Sequence, residues 1–224
     1  MKNHIAPFGD RLKTMFTGLI RHLGKLESRT PRPGGSRLRI SAPPDLIERA
    51  SLGASIATNG SCLTSVSRNA TSFEADLSEE TLLKTTWSRL PLGALLHLEP
   101  ALLVGDPLDG HLVSGHVDGV GRLLERPRDE GFWRFSMPLE LAPMIAPKGS
   151  VAVDGISLTV VDCGRDWFSV ALIPETVRST RLAAMRVGDE VNLEADPIGR
   201  YVARALTLNQ SDEKLGAFIK DGWK

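Results

Sequence analysis

Two short stretches of this chain repeat each other: Asn59–Thr64 reads NGSCLT and Asp154–Thr159 reads DGISLT. Each residue of the second stretch lies 95 positions after its counterpart in the first, as 154 does after 59. The same spacing relates FEADLSEETLLKTT, from Phe73, to FSVALIPETVRSTR, from Phe168, and it relates the Leu-Glu pairs at 98–99 and 193–194. A fixed offset over such a length predicts two similar domains in tandem.

The repeat divides the 224 residues into four parts. Residues 1–14 have no counterpart and are expected to form an N-terminal extension, with Met15 as an alternative start. We expect the first repeat over 15–110, the second over 111–196, and a C-terminal helix and tail over 197–224. Domains of this size can each bury a core of their own.

The composition is that of an ordinary globular protein, with 42% hydrophobic and 24% charged residues. Lys+Arg and Asp+Glu both number 27, so the net charge is zero. Non-specific binding to nucleic acid needs a basic face, so this balance argues against nucleic acid as a partner. The most apolar stretch, residues 90–104, is interrupted by His97 and Glu99, which excludes a membrane span.

The two cysteines, Cys62 and Cys163, occupy different positions in the two repeats, so no disulfide is expected within a domain. Free thiols indicate a reducing compartment. The N-terminal sequence MKNHIAPFGDRLKT has no apolar core of signal-peptide length. We therefore expect a cytoplasmic protein.

Short strands are expected to fill most of both repeats, because β-branched or alternating runs are separated by Gly, Pro, Asn or Asp. The expected strands are Leu38–Ser41, Ser55–Thr58, Leu63–Val66, Ser72–Leu77, Phe132–Phe135, Val151–Val153, Leu158–Val161 and Phe168–Leu172. Short, evenly spaced strands with little helix predict a mainly all-β chain of small closed barrels, not a doubly wound parallel sheet.

Few helices are expected. Pro44 and Pro138 each stand where a helix can begin, ahead of DLIERA and LELAPM. The segments SEETLL and PETVRS are expected to form helical turns after a strand. Residues 196–208, DPIGRYVARALTL, are expected to form a final helix with Ile198, Val202 and Ala205 on one face.

The repeated NGSCLT and DGISLT block has two interpretations. Asn-Gly and Asp-Gly are strong hairpin signals, so the block can simply shape a turn. The functional interpretation is that Cys62 and Ser157 occupy equivalent positions at a strand entrance, with Thr64 and Thr159 two residues later on the same face. A thiol or hydroxyl beside a second hydroxyl can bind a polar heterocycle or orient a water molecule.

The segment GHLVSGHVDG carries two histidines, His111 and His116, which a continuous strand would place on opposite faces. They are then not joint metal ligands, and no acidic or cysteine cluster completes a zinc site, so no metal is expected. His116 aligns with Leu19 of the first repeat. A histidine gained in one repeat can transfer protons near neutral pH; the alternative is a surface histidine without a catalytic role.

Other polar positions also permit two interpretations. The blocks ETLLKT from Glu80 and ETVRST from Glu175 place hydroxyls at helix starts, where free amides bind anions or carbonyl oxygens; helix capping is the alternative. Asp196 and Lys148 are polar in the second repeat only, which makes them candidates for an unequal role of the two halves.

These motifs together resemble the riboflavin synthase alpha-chain family. The resemblance rests on MFTGLI, NGSCLT, GHLVSGHVDG, DGISLTV and LIPETVRSTRL, in the family's order and spacing, and extends from Met15 to about Leu208. It implies a transferase that dismutates two molecules of 6,7-dimethyl-8-ribityllumazine by moving a four-carbon unit from one to the other. The products are riboflavin and 5-amino-6-ribitylaminouracil, in the last step of riboflavin biosynthesis.

The resemblance also implies the architecture and the partners. The fold would be two similar six-stranded antiparallel barrels plus a C-terminal helix, through which a homotrimer assembles. The active site would lie between the N-terminal barrel of one subunit and the C-terminal barrel of a neighbour. No metal or redox cofactor is required; the partners are two substrate molecules per site and, as a further expectation, lumazine synthase. Holding two heterocycles together can lower a barrier by on the order of 7–11 kcal/mol.

Matching the family's motifs to this sequence gives two substrate pockets, with Phe16 near them. The first pocket would use Gly18, Leu19, Ile20, Cys62, Leu63, Thr64, Asp76, Leu77, Ser78, Glu79, Glu80 and Thr81. The second would use Gly115, His116, Val117, Lys148, Ser157, Leu158, Thr159, Ile173, Pro174, Glu175, Thr176 and Val177.

Five side chains are candidates for the chemistry implied by the resemblance. His116 and Thr159 would move protons, including one from the acidic C7 methyl group of a lumazine. Ser157 or a water molecule would add as the nucleophile at C7 of the other lumazine. Cys62 and Asp196 would position groups or tune charge.

Two features depart from the family pattern. The MFTG segment usually starts the chain, whereas here fourteen residues precede Met15, and these can displace Phe16. Ser65 stands where the family usually has Val. A polar side chain there costs about 1–3 kcal/mol if it is buried without a hydrogen-bond partner.

Two rival functions are considered. Lumazine-binding antenna proteins share the fold but have lost catalysis through degraded motifs in one half, whereas both halves keep their motifs here, including Ser157 and Thr159. A flavoprotein reductase barrel would need a nucleotide-binding partner domain with a Gly-rich βαβ turn, for which two repeats leave no room.

Overall fold

The computed structural model describes residues 15–127 and 131–211, the last three as helical backbone alone. The expected N-terminal extension, residues 1–14, and the tail from 212 onward lie outside the described residues.

The first repeat forms a closed antiparallel barrel of six strands with two short helices. Its elements are β1 (His22–Arg32), β2 (Gly35–Ser41), α1 (Pro44–Arg49), β3 (Ser55–Thr58), β4 (Ser61–Arg68), β5 (Ser72–Ser78), α2 (Glu79–Lys84) and β6 (Leu95–Pro100). Around the barrel the strand order is β1-β2-β5-β4-β3-β6.

The second repeat forms a barrel of the same kind, followed by the final helix. Its elements are β7 (Gly119–Glu125), β8 (Phe132–Ser136), β9 (Ser150–Val153), β10 (Ile156–Cys163), β11 (Trp167–Ala171), α3 (Pro174–Ser179), β12 (Glu190–Ala195) and α4 (Pro197–Ser211). Read from β7, the strand order is β7-β8-β11-β10-β9-β12, which is the order of the first barrel six strands on. The prediction of two similar six-stranded barrels is confirmed.

Alternating burial along β4 and β10 explains how both barrels fill their interiors. Leu63 and Leu158 point inward and are buried, whereas the residues on either side of each are less buried and face outward. In the second barrel the rings of Phe135 and Phe168 stack inside the core with centroids 5.6 Å apart. The outward positions of β4 and β10 are therefore free to serve a site.

The repeated Asn-Gly and Asp-Gly pairs form the predicted hairpin turns. Asn59 and Asp154 have φ of 44° and 46°, and the glycines that follow them have φ of 76° and 81°, the positive values that a two-residue type I′ turn requires. The two turns also touch: a Cβ on Gly60 would lie 2.7 Å from the backbone nitrogen of Gly155. The two repeated turns therefore also form a contact between the barrels.

The structure answers three local expectations. The segment after Pro138 forms a 3₁₀ helix, Leu139–Met144, because Pro143 has no N–H for a continuing α-helix. Ser65 is buried, but its Oγ donates a hydrogen bond to the carbonyl of Ala50 at 2.9 Å, so the polar group is satisfied. The cysteines Cys62 and Cys163 are free thiols, as predicted.

Candidate active site

The chain crosses between the barrels at the start of each repeat. Residues 16–20, the first crossing segment, lead into β1 but contact the second barrel. Residues 113–117, the second crossing segment, lead into β7 but contact the first barrel. The two segments meet through an antiparallel bridge between Phe16 and Val113. Each barrel therefore has a wall supplied by the other repeat.

A glycine makes the closest contact of each crossing segment. The N–H of Ser157 donates to the carbonyl of Gly18 at 2.8 Å, and the N–H of Cys62 donates to the carbonyl of Gly115 at 2.9 Å. A Cβ on Gly18 would lie 2.6 Å from the Cβ of Ser157, and one on Gly115 would lie 2.5 Å from the Cβ of Cys62. Both glycines also have positive φ, 75° and 77°. A side chain at either position is therefore disfavoured both by the close contact and by the backbone conformation.

A buried glutamate holds each crossing segment in place. Glu99 of β6 accepts hydrogen bonds from the N–H of Thr17 at 2.6 Å, from its Oγ1 at 2.8 Å and from the N–H of Gly18 at 3.0 Å. Glu194 of β12 repeats the arrangement with the N–H and Oγ of Ser114, both at 2.7 Å, and with the next N–H at 2.9 Å. Burial raises the pKa of both carboxyl groups, while these hydrogen bonds oppose the rise.

The first site is a cleft of about 270 Å³ on the first barrel. It is lined by Ser61, Cys62, Glu80, Thr81, Lys84, Thr85, Gly115, His116 and Val117. The imidazole of His116 is exposed at this cleft. Burial raises the pKa of the Cys62 thiol, and the nearby Glu194 raises it further, so the thiol stays protonated at neutral pH. The chemistry available here is proton transfer by an imidazole beside a neutral thiol.

The second site surrounds Ser157 on the second barrel. Nδ1 of His111 lies 2.7 Å from Oγ of Ser157, and His111 itself is only 9% exposed. Burial lowers the pKa of His111, while the carboxylate of Asp196 raises it. A neutral imidazole in contact with a hydroxyl can take the proton as the oxygen attacks, or can orient a water molecule.

The structure exchanges the crossing segments between the two predicted pockets. Gly18, predicted with Cys62, lies instead against Ser157, and Gly115 and His116, predicted with Ser157, lie against Cys62. Each crossing segment therefore contacts the barrel of the other repeat, and its part in binding a ligand stays a prediction.

The expectation that a continuous strand places His111 and His116 on opposite faces was also wrong. Residues 111–118 form no continuous strand; only Val113 takes part in an isolated bridge. His111 therefore approaches Ser157 while His116 lines the first site, and the spacing of five residues says nothing about strand faces.

Several predicted substrate-binding residues have buried side chains. Leu63, Leu77 and Leu158 belong to the barrel cores, so only their backbone can meet a ligand. Ile20 is partly buried against the second core. Phe16 has no exposed surface and packs where the crossing segments meet, so the structure gives its side chain a packing role.

Other predicted residues act locally. Asp76 pairs with Arg37 on the barrel surface, with Nη2 and Oδ2 2.6 Å apart, and does not line the cleft. Ser78 caps α2 by accepting from the N–H of Thr81 at 3.1 Å, and Glu79 donates from its N–H to Gly34 at 3.1 Å. Within the ETLLKT block, Thr85 caps the following 3₁₀ turn by accepting from the N–H of Trp87 at 3.3 Å, while Glu80 and Thr81 line the first site.

In the second repeat, α3 follows β11 as α2 follows β5. Ile173 is its exposed N-cap residue, Pro174 is its first residue, and Glu175 pairs with Arg178 at 2.7 Å. The other predicted residues lie nearby: the Thr176 carbonyl accepts from Thr180 at 2.6 Å and Val177 packs against the second core. Their contact with a ligand stays a prediction.

The remaining outward residues keep their predicted faces. Thr64 and Thr159 are exposed on the outward face of β4 and β10, as the alternation predicts. Leu19 is half-buried on the first crossing segment. Lys148 is exposed on the turn before β9 with φ of 68°, and its N–H bonds to Val160, three residues beyond Ser157. The role of Lys148 in binding stays a prediction.

Asp196 stands at the start of α4, where Oδ1 accepts from the N–H of Ile198 at 2.9 Å. It therefore caps the final helix, in addition to its electrostatic effect on His111.

Sequence reasoning missed three residues: His111, Glu99 and Glu194. The glutamates carried a signal, because both belong to the Leu-Glu pairs that recur at the 95-residue offset. A carboxylate that recurs in an otherwise apolar strand indicates a buried acceptor with fixed donors. His111 carried no such signal, because its contact with Ser157 depends on the path of the second crossing segment.

The described ranges contain no group of three or more His, Cys, Asp or Glu residues that could hold a metal ion. Over the same ranges, none of the helices has the length and apolar character needed to traverse a bilayer.

Comparison with known proteins agrees with the two-barrel fold. The family model described as "Lumazine binding domain" matches residues 17–101 and 114–196. Riboflavin synthase of Brucella abortus is 44% identical over 199 residues, covering 85% of this chain and 97% of that protein. Riboflavin synthase of Photobacterium phosphoreum is 38% identical over 212 residues, covering 92% and 96%.

Two further comparisons span a wider range of identity. Riboflavin synthase of Bacillus subtilis is 35% identical over 194 residues, covering 86% of this chain and 90% of that protein. Among solved structures, LumP complexed with riboflavin superposes with a TM-score of 0.73 at 22% identity, covering 81% of this chain and 99% of that one, which is a likeness of fold. The chain belongs to the riboflavin synthase family, with a lumazine-binding domain in each half.

Proposed function

We propose that this chain converts two molecules of 6,7-dimethyl-8-ribityllumazine into riboflavin and 5-amino-6-ribitylaminouracil by transfer of a four-carbon unit. The observation that carries the proposal is the pair of related sites, one on each barrel, each walled by a segment of the other repeat. Two copies of one heterocycle need two related sites, and holding them in register supplies much of the acceleration.

At the first site, His116 is the group that moves protons. It is exposed at the cleft, so it can reach a ligand, and Cys62 lies beside it as a neutral thiol that can donate a hydrogen bond. The backbone of the second crossing segment and the helix start at Glu80 and Thr81 supply further polar contacts to the pyrimidinedione edge.

At the second site, Ser157 or a water molecule held by it adds at C7 of a lumazine. His111 accepts the proton from the attacking oxygen, and the Asp196 carboxylate increases the basicity of that imidazole. Thr159, on the same face of β10, moves a proton to or from the bound ligand.

The two ligands are brought together by neighbouring subunits. His116 lines the first site and Ser157 the second, and in the proposed assembly the first site of one chain faces the second site of a neighbouring chain. The final helix α4 offers an apolar face for assembly, since Ile198, Val202 and Leu206 are more than half exposed. In a homotrimer formed through this helix, the apolar face of α4 is covered and the first and second sites of neighbouring chains meet. The association with lumazine synthase and the cytoplasmic location stay predictions.

The test is to mix purified protein with the ribityllumazine alone and follow riboflavin absorbance. We expect riboflavin to appear without any added metal or redox cofactor, with two lumazine molecules consumed per riboflavin formed. Tight binding of the lumazine with no riboflavin formed would instead identify a non-catalytic binding protein on the same fold.

A further inference from the structure

We propose that Glu99 and Glu194 are positioning residues that act across the barrel interface, each fixing the wall of the site on the opposite barrel. Glu99 stands on the first barrel but governs the second site; Glu194 stands on the second barrel but governs the first site. The location of the two sites rests on the proposed function, whereas the crossed control itself is a property of the fold.

The connection runs through three consecutive contacts at each end. The Glu99 carboxylate takes three hydrogen bonds of 2.6–3.0 Å from Thr17 and Gly18. The carbonyl of Gly18 then accepts the N–H of Ser157 at 2.8 Å. No flexible side chain intervenes between the glycine and the site, so a shift of the segment is passed on to Ser157 directly.

The second connection repeats the first. The Glu194 carboxylate takes three hydrogen bonds of 2.7–2.9 Å from Ser114 and Gly115. The carbonyl of Gly115 accepts the N–H of Cys62 at 2.9 Å, and the next residue is His116. This carboxylate therefore fixes both side chains that give the first site its chemistry.

Both glutamates are buried, and removing a carboxylate from water costs free energy that an apolar strand residue at the same position would not incur. Glu99 is 7% exposed and Glu194 is 2% exposed, and neither forms an ion pair with any residue that the structure describes. A buried carboxylate is tolerated only where its oxygens are fully hydrogen-bonded. Here the donors all belong to the crossing segments, so the charge is placed to hold those segments.

The register of the strands distinguishes control through the crossing segments from an effect transmitted through the sheet of the same barrel. Across the first sheet, Glu99 pairs with Ala57, which in turn pairs with Cys62. Across the second sheet, Glu194 pairs with Ala152, which pairs with Ser157. An effect carried through the sheet would therefore link each glutamate to its own barrel's site, which is the opposite of the crossed assignment.

Thiol labelling of the folded protein separates the two assignments without requiring turnover. In a Cys163→Ser background, Cys62 is the single thiol of the chain. In a Cys62→Ser, Cys163→Ser background, Ser157→Cys places the single thiol at the second site. Each background receives Glu99→Gln or Glu194→Gln, which replaces one acceptor oxygen by a donor. The rate of reaction with a disulfide reagent is measured across a range of pH, so that the rate constant of the thiolate is obtained separately from the pKa of the thiol, which Glu194 raises at Cys62. The thiolate rate constants are the labelling rates that are compared.

We expect a crossed pattern. Glu194→Gln accelerates labelling of Cys62 about ten-fold, the factor that loss of a hydrogen bond to a charged group corresponds to, and leaves the thiol at position 157 within about two-fold. Glu99→Gln does the reverse. Glu190→Gln is the matched control on β12, because Glu190 pairs with Arg89 and Arg122 at the surface and touches neither crossing segment.

A same-barrel pattern, or equal acceleration at both positions, overturns the proposal. If a Gln variant fails to fold, Thr17→Val and Ser114→Ala remove one donor from each carboxylate and are expected to give the same crossed pattern at about two- to three-fold. Because labelling needs no substrate, a crossed pattern in a protein that makes no riboflavin would uphold this proposal while rejecting the proposed function.

Discussion

At the scale of single residues, the two sites differ in the groups they offer a ligand. The first site offers an exposed imidazole, His116, beside a thiol that burial keeps protonated. The second offers Ser157 in contact with the nearly buried imidazole of His111. Equivalent positions of the repeat thus carry unequal chemistry, which suits a reaction in which one molecule gives a four-carbon unit and the other receives it.

His116→Gln is expected to lower kcat by about 100-fold or more, the contribution of a well-placed general acid–base group. Gln keeps the size and hydrogen-bonding ability of the side chain but cannot carry a proton. His22→Gln is the matched control, because His22 pairs with Asp45 outside both sites, and its kcat is expected to stay within about two-fold. Unchanged turnover of His116→Gln in a steady-state assay would remove His116 from the mechanism.

At the scale of elements, the sequence predicted eight of the twelve strands that the structure describes and missed β1, β6, β7 and β12. The eight expected strands all occur, and β3 matches its predicted bounds. The strands β6 and β12 were missed because nearly every residue in them is buried, so no polar face marks them. One face of each fills its barrel and the other carries groups used between the barrels, such as His97 and Glu194.

The crossing segments could not be placed from the sequence for a related reason. They carry recognisable motifs, but their partners are backbone atoms of the opposite repeat, and no periodicity reports such a contact. The strands β1 and β7 were missed as well, since glycines such as Gly24, Gly119 and Gly121 interrupt their patterns; at Gly24 and Gly121 a Cβ would lie 2.2 Å from a carbonyl oxygen of the neighbouring strand.

Buried His97 of β6 joins the barrels and is expected to make stability depend on pH. Its Nδ1 lies 3.0 Å from the carbonyl of Asp154, and its Nε2 accepts the N–H of Arg181 at 2.9 Å, so the ring is neutral. Burial lowers the pKa of His97 to about 4 from the usual 6.5. The unfolded chain therefore takes up a proton before the folded protein does as the pH falls.

The free energy of unfolding is thus expected to decrease as the pH falls from 6.5 towards 4, by about 2 kcal/mol between pH 7 and pH 5 from this group. Urea unfolding of the wild-type protein and of His97→Gln at pH 7 and pH 5 measures this decrease in the free energy of unfolding. The variant is expected to be less stable at pH 7, but its free energy of unfolding lacks the part of the decrease that comes from protonation of His97. The raised pKa values of Glu99 and Glu194 act in both proteins alike, so equal pH dependence of the two would contradict the account.

At the scale of the whole molecule, duplication provides two related sites, and the proposed function joins them across chains. Each site needs the opposite repeat for its wall, so neither barrel can be removed without damaging the site on the other. His116 and Ser157 are nevertheless divided between the sites of one chain. In the proposed assembly the first site of one chain faces the second site of another, and α4 presents the exposed apolar face through which chains can assemble.

Complementation between two inactive variants tests this arrangement most directly. His116→Gln and Ser157→Ala are co-expressed with different affinity tags, and mixed oligomers are purified through both tags and assayed for riboflavin formation. Each variant alone is expected to be nearly inactive. In a mixed trimer that closes as a ring, one of the three contacts between neighbours joins an intact first site to an intact second site, so about a third of the wild-type activity should return. Mixed oligomers as inactive as the parent variants would contradict the account, because the two sites would then have to act within one chain.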